Sequence, residues 1–149
     1  MTERQNDRPY KRPESVLVVV HTPELAILLL ERVAPPGFWQ SVTGSLHWGE
    51  SAAAAAAREL REETGLDPAG LVDAEFESTF PIAPQWRQRY APEVTENREH
   101  WWYLAVPGPR DVELNRAEHV RYRWFDLPGA LARASSSTNR AAIERLRDA

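Results

Sequence analysis

The sequence predicts an α/β layered domain built on a mixed β-sheet. Short, strongly apolar runs of strand length recur along the chain, amphipathic helical segments lie between them, and the two kinds interleave irregularly rather than in strict alternation. At 149 residues the chain is most simply one domain (1–149), long enough to bury a core. The polar opening "MTERQNDRP" is expected to be a flexible N-terminal arm over residues 1–9.

Val16–Val20 and Leu25–Leu30 read as two buried strands joined through "HTPE" in a hairpin. Phe38–Gly44, "FWQSVTG", reads as a short strand ending in a glycine-containing loop. Ser51–Thr64 is the clearest helix: six consecutive alanines supply the strongest intrinsic propensity, and Gly65 sits where a C-terminal cap belongs. Ala53, Ala56, Ala57 and Leu60 are expected to form its sheet-facing side. Leu71–Phe80 and Trp101–Val106 read as strands, the second rich in aromatics that suit a pleated surface. Between them, "PIAPQWRQRYAPEVTENRE" is a proline- and charge-rich excursion of the kind that is usually functional or mobile. "RYRWF" is a further strand. Asp126 and Pro128 then open a short helix, and "SSSTNR" leads into a last one with Ala142, Ile143 and Leu146 on one face.

Composition narrows the function classes. The chain is 42% hydrophobic and 27% charged with no cysteine, which excludes disulfides and thiolate metal sites and suits a cytoplasmic enzyme. "VLVVV" and "LAILLL" are too short to span a bilayer. A net charge of −4 without a long basic block argues against general nucleic-acid binding. Lys11 is the one lysine beside seventeen arginines.

The helix carries a contradiction. Glu59, Glu62 and Glu63 crowd its C-terminal turns, where the macrodipole disfavours negative charge and where i, i+3 and i, i+4 spacing sets like charges together. A divalent cation such as Mg²⁺, which prefers carboxylate oxygens, would relieve both penalties. Glu50, just before the helix, can add a carboxylate if the loop from Gly44 folds back, and Arg58 and Arg61 can orient the acids. The spacing G-x5-E-x7-R-E-U-x-E-E-x-G-U, with U aliphatic, is met at Gly44, Glu50, Arg58, Glu59, Leu60, Glu62, Glu63, Gly65 and Leu66. Nine such matches at a given register arise by chance on the order of 10⁻⁹ of the time.

That segment is identified as an unbroken Nudix box, and the chain resembles the Nudix hydrolases. The resemblance implies a Nudix-type α/β/α sandwich, divalent-metal dependence and hydrolysis of diphosphate linkages. By motif position it implies Glu59, Glu62 and Glu63 as metal ligands, with Glu50 assisting, and Glu59, Glu63 and Arg58 as catalytic. Outside the box, "YKRPESVLVVV", "FWQSVTGS", "RYAPEVT", "EHVRYRWFD" and "SSSTNRAAIE", in that order, are similar to the dihydroneopterin triphosphate diphosphatase branch of the family, from about Tyr10 to Leu146. This implies removal of pyrophosphate from 7,8-dihydroneopterin triphosphate in folate biosynthesis, with Mg²⁺ as cofactor and Mn²⁺ as a substitute. It also implies Lys11, Arg32, Thr43, Phe80, Pro81, Ile82, Ala83 and Ser136 at the substrate and Glu118 as a further metal ligand. Trp86, Tyr90, Trp101 and Trp102 are candidates to stack on a flat ring. The four histidines, His21, His47, His100 and His119, show no ligand spacing and are expected to be structural or exposed.

Two other functions compete. One is hydrolysis of ordinary or oxidised nucleoside triphosphates, since a fold does not fix its substrate; diadenosine polyphosphates are disfavoured because Ile82, Ala83 and Pro84 stand where those enzymes tend to carry a tyrosine. The other is a noncatalytic ligand-sensing domain, against which the complete set of box glutamates argues. Glu59, Glu63 and Glu118 all stay open as the general base, and the oligomeric state stays open too.

Overall fold

A computed structural model describes residues 10–148; the expected arm over residues 1–9 lies outside them. Strands β1 (Glu14–His21), β2 (Ile27–Arg32), β3 (Trp39–Gln40) and β4 (Val42–Ser45) precede helix α1 (Ala52–Thr64). Strands β5 (Val72–Pro81), β6 (Glu96–Ala105) and β7 (His119–Phe125) follow, then helices α2 (Leu127–Arg133) and α3 (Ser137–Arg147). All seven strands form one mixed sheet: β1 runs parallel to β6 and antiparallel to β4, while β2 pairs antiparallel with β3 and β7 and β5 with β6.

β1 is the sheet's centre because valine and leucine fill both of its faces. Val16, Val18 and Val20 pack towards α1 with Leu28, Leu30, Trp102 and Leu104, against Ala55, Ala56 and Leu60. Leu17 and Val19 point the other way, into a second cluster with Ile27, Leu29 and Trp101 beneath Ala130, Ala142 and Ile143 of α2 and α3. Helices on both faces make the fold an α/β/α sandwich. Asp126 caps α2 by accepting from Gly129 N at 2.8 Å, and Ser136 caps α3 by accepting from Asn139 N at 3.0 Å.

Several local expectations are corrected. Leu25 lies outside β2 with φ of 64°, in a turn closed by Leu25 N donating to the Thr22 carbonyl. The expected single strand over 38–44 is two, interrupted at Ser41. There Asn139 of α3 intrudes: its Oδ1 accepts from Ser41 N at 2.7 Å, and its Nδ2 donates to Ser41 Oγ at 2.9 Å. The 81–99 excursion is shorter than expected, because Pro81 ends β5, residues 84–89 form a 3₁₀ turn, and β6 begins at Glu96. The sheet-facing side of α1 is Ala55, Ala56, Glu59, Leu60 and Glu63, whereas Ala53 is exposed and Ala57 half-buried. Two of the acids therefore lie on the buried stripe rather than beside it.

Candidate active site

Caps at both ends hold α1 in place. Ser51 Oγ accepts from Ala54 N at 3.1 Å, and Gly65, left-handed at φ 74°, donates its N–H to the Arg61 carbonyl. Two turns in from that cap, Arg58 organises the acids. Its Nε and Nη2 form a two-pronged pair with Glu50 Oε2 and Oε1, both at 2.9 Å. Its Nη1 reaches Glu59 Oε2 at 2.8 Å and Glu62 Oε1 at 3.4 Å, and Nη2 also donates to the Ser45 carbonyl at 3.0 Å. The Arg58 hydrogen bonds hold Glu50 down to about 2, against a smaller desolvation effect. Glu50 thus acts in this structure as the partner of Arg58, with both oxygens engaged. The Glu62 side chain is 52% exposed and leans on Arg58 from outside.

Glu59 and Glu63 face inward. Burial pushes Glu59 up to about 7, with Glu63 and Glu62 adding to the rise and Arg58 opposing it. Glu63, 1% exposed, has Oε1 2.8 Å from His119 Nδ1 of β7. The approach is close but not directional, and neither atom completes a well-formed hydrogen bond. Burial raises the Glu63 pKa, but His119, Glu118 and Arg32 together outweigh it and the net shift is downward. Glu118 moves the other way, driven first by its contact with Glu63 and then by desolvation. Ligand atoms of Glu63, Glu118 and His119 all lie within 4.8 Å of one another. Gln40 Nε2, 3.2 Å from His119 Nε2, orients the ring from behind.

A cavity of about 1200 Å³ opens beside these acids and is lined by Glu59, Glu118 and His119. Every substrate residue expected from the sequence lines it too: Lys11, Arg32, Thr43, Phe80, Pro81, Ile82, Ala83 and Ser136. Arg32 donates from Nε to the Ala34 carbonyl at 2.8 Å and stands 6.0 Å from the Phe38 ring centroid and 5.7 Å from that of Trp86. Lys11 stands over Tyr90 at 5.8 Å. Although that residue is exposed as a whole, its pKa falls, through desolvation first and then the neighbouring charges of Arg89 and Arg32. Lys11, Arg32 and Arg89 therefore share one cavity, an arrangement that favours a polyanion. The Thr43 hydroxyl donates to the Val16 carbonyl at 2.9 Å, so it shapes the wall with its proton already committed.

Sequence reasoning missed three contributors. His119, expected to be structural or exposed, is buried within the acidic cluster, Gln40 positions it, and Arg89 joins Lys11 and Arg32 at the cavity. Among the ring-stacking candidates, Trp86 and Tyr90 line the cavity, whereas Trp101 and Trp102 are core residues, 3% and 8% exposed. The acidic cluster suits a hard divalent cation: ligand atoms of Glu63, Glu118 and His119 converge on one another.

The NUDIX domain family profile matches residues 11–146. The chain is 44% identical over 144 residues to the dihydroneopterin triphosphate diphosphatase of Escherichia coli, covering 93% of this chain and 95% of that protein. The Haemophilus influenzae protein of the same name is 36% identical over 141 residues, covering 91% and 88% of the respective chains. The solved structure of the E. coli dihydroneopterin triphosphate pyrophosphohydrolase matches with a TM-score of 0.87 at 42% identity, over 95% of this chain and 100% of that one. With the box helix, its buried glutamates and the sandwich around them all in place, the chain belongs to the Nudix family.

Proposed function

We propose that this protein hydrolyses 7,8-dihydroneopterin triphosphate to dihydroneopterin monophosphate and pyrophosphate, a step of folate biosynthesis, in the cytoplasm. The observation that carries the reading is 44% and 36% identity, over nearly the full length, to two enzymes named for that activity. The site supports it chemically. A triphosphate brings about four negative charges, and Lys11, Arg32 and Arg89 offer the cations to pair with them. A divalent cation held by Glu59, Glu63 and Glu118, Mg²⁺ with Mn²⁺ as a substitute, supplies further neutralisation of phosphate charge when bound. Arg58 keeps Glu59 in place and ties it to the loop through Glu50 and the Ser45 carbonyl. Water adds to the α-phosphorus, the bond to the α,β-bridging oxygen breaks, and pyrophosphate leaves. The small-molecule substrate enters a cavity that Phe38, Trp86 and Tyr90 border with flat rings.

Product analysis with Mg²⁺ tests this reading. Dihydroneopterin triphosphate should give equal amounts of pterin monophosphate and pyrophosphate. Release of inorganic phosphate with a pterin diphosphate would refute it.

A further inference from the structure

The cavity contains a second polar group that hydrolysis at phosphorus does not use. Asn97 and Glu99 of β6 line it and are only 4% and 5% exposed. Strand alternation puts both on the same face as Trp101, towards α3. Glu99 is flanked in register by Ser15 on β1 and Ser78 on β5.

The donors here are too few. Glu99 Oε1 accepts from Trp101 Nε1 at 3.1 Å, and the Thr138 hydroxyl gives further help, but burial dominates and raises the carboxyl above its ordinary range. No cation among the described residues offsets its charge. Asn97 spends its Nδ2 on Ser15 Oγ at 2.8 Å, which leaves its Oδ1 buried without a partner. A buried acceptor without a donor is costly, and so is a buried carboxylate that has hydrogen bonds but no cation. Such a corner is stabilised by a ligand that brings adjacent N–H groups.

We propose that Asn97 and Glu99 form the ring-reading subsite, accepting hydrogen bonds from an adjacent ring N–H and exocyclic amine of the type –NH–C(NH₂)=. A 2-amino-4-oxo pterin presents that edge, and so does guanine; adenine does not. The assignment deepens the pterin reading and rests on it for the identity of the ring, while the donor-pair chemistry can be tested separately.

The experiment compares kcat/KM for dihydroneopterin triphosphate, dATP, GTP and inosine triphosphate, with wild type and Glu99→Gln. Inosine keeps the ring N–H and lacks the exocyclic amine. Loss of a hydrogen bond to a charged group predicts that Glu99→Gln lowers the pterin-to-dATP ratio by about 10- to 100-fold. It also predicts that wild type prefers GTP to inosine triphosphate and that the variant narrows this preference. An equal loss on all four substrates, or unchanged ratios, would overturn the assignment. Should Glu99→Gln fail to fold, wild type alone decides, because a GTP-to-inosine triphosphate ratio near one contradicts the subsite. Should wild type ignore the pterin substrate, the pterin reading fails while the GTP and inosine comparison still judges Glu99.

Discussion

The carboxylate of Glu59 occupies the space where a side chain on Gly44 would stand. A Cβ built at Gly44 would fall on the Glu59 carboxylate, well inside van der Waals contact. The first glycine of the box and its central glutamate are therefore one spatial unit, fifteen residues apart. Gly44→Ala should push Glu59 off its position and lower kcat on the order of 100-fold, the usual consequence of a displacement near 1 Å. Steady-state kinetics alongside circular dichroism checks this, and full activity in the folded variant would contradict it.

Glu59 and Glu63 should be indispensable to metal response as well as to turnover. Glu59→Gln and Glu63→Gln should each remove most activity. Wild type should gain thermal stability with millimolar Mg²⁺, because binding to the folded state alone shifts unfolding, and the variants should gain much less. Thermal melts over a Mg²⁺ series decide the matter; an unresponsive wild type would count against the cluster as a metal site.

Without metal, the charge on Glu59 should be a liability. Its folded-state pKa is raised from 4.5 to about 7, chiefly by burial. The folded chain thus holds that proton more tightly than the unfolded chain. The resulting stability is fully present below about pH 4.5 and is lost as pH rises through 7. In EDTA, Glu59→Gln should therefore melt above wild type at pH 8, by on the order of 5 °C, and the gap should close as pH falls towards 4.5. A gap of constant size across that range would show that the charge is not its source.

The box helix was legible because its signals are local: alanine propensity, the Ser51 and Gly65 caps, and acids at an unfavourable end. Its orientation was not, because six alanines in a row carry no hydrophobic phase, and the buried stripe is completed by Glu59 and Glu63 rather than by apolar residues. His119 was missed for a different reason. Its partners, Glu63 and Gln40, are distant in sequence and come together only when β7 pairs with β2. Asn97 and Glu99 were hidden inside a segment that reads as a charged loop, since only the parallel pairing of β6 with β1 makes them a buried strand face. The Ser41 break depends on Asn139, which no local pattern at 38–44 announces.

Lys11 should act on phosphate without regard to the ring. Lys11→Ala should lower kcat/KM for dihydroneopterin triphosphate and for dATP by a similar factor, about 10-fold or more for a charge-assisted contact. A change at Trp86 should alter both the pterin-to-dATP ratio and the overall rate, because that ring borders the cavity and also flanks Arg32. Kinetics on the two substrates separates these effects; a Lys11→Ala loss confined to one of them would refute the clamp.

The site of water attack can be read from isotope. Turnover in ¹⁸O-water should place the label in pterin monophosphate, as attack at the α-phosphorus requires. Label confined to pyrophosphate would move the attack to the β-phosphorus.

Substrate preference is the most direct measurement of all. Purified protein with Mg²⁺, offered dihydroneopterin triphosphate beside dATP and an oxidised guanine nucleotide, should show the highest kcat/KM for the pterin, by about tenfold or more. A preference of that size for either nucleotide would contradict the pterin function, while leaving the Nudix chemistry of the box in place.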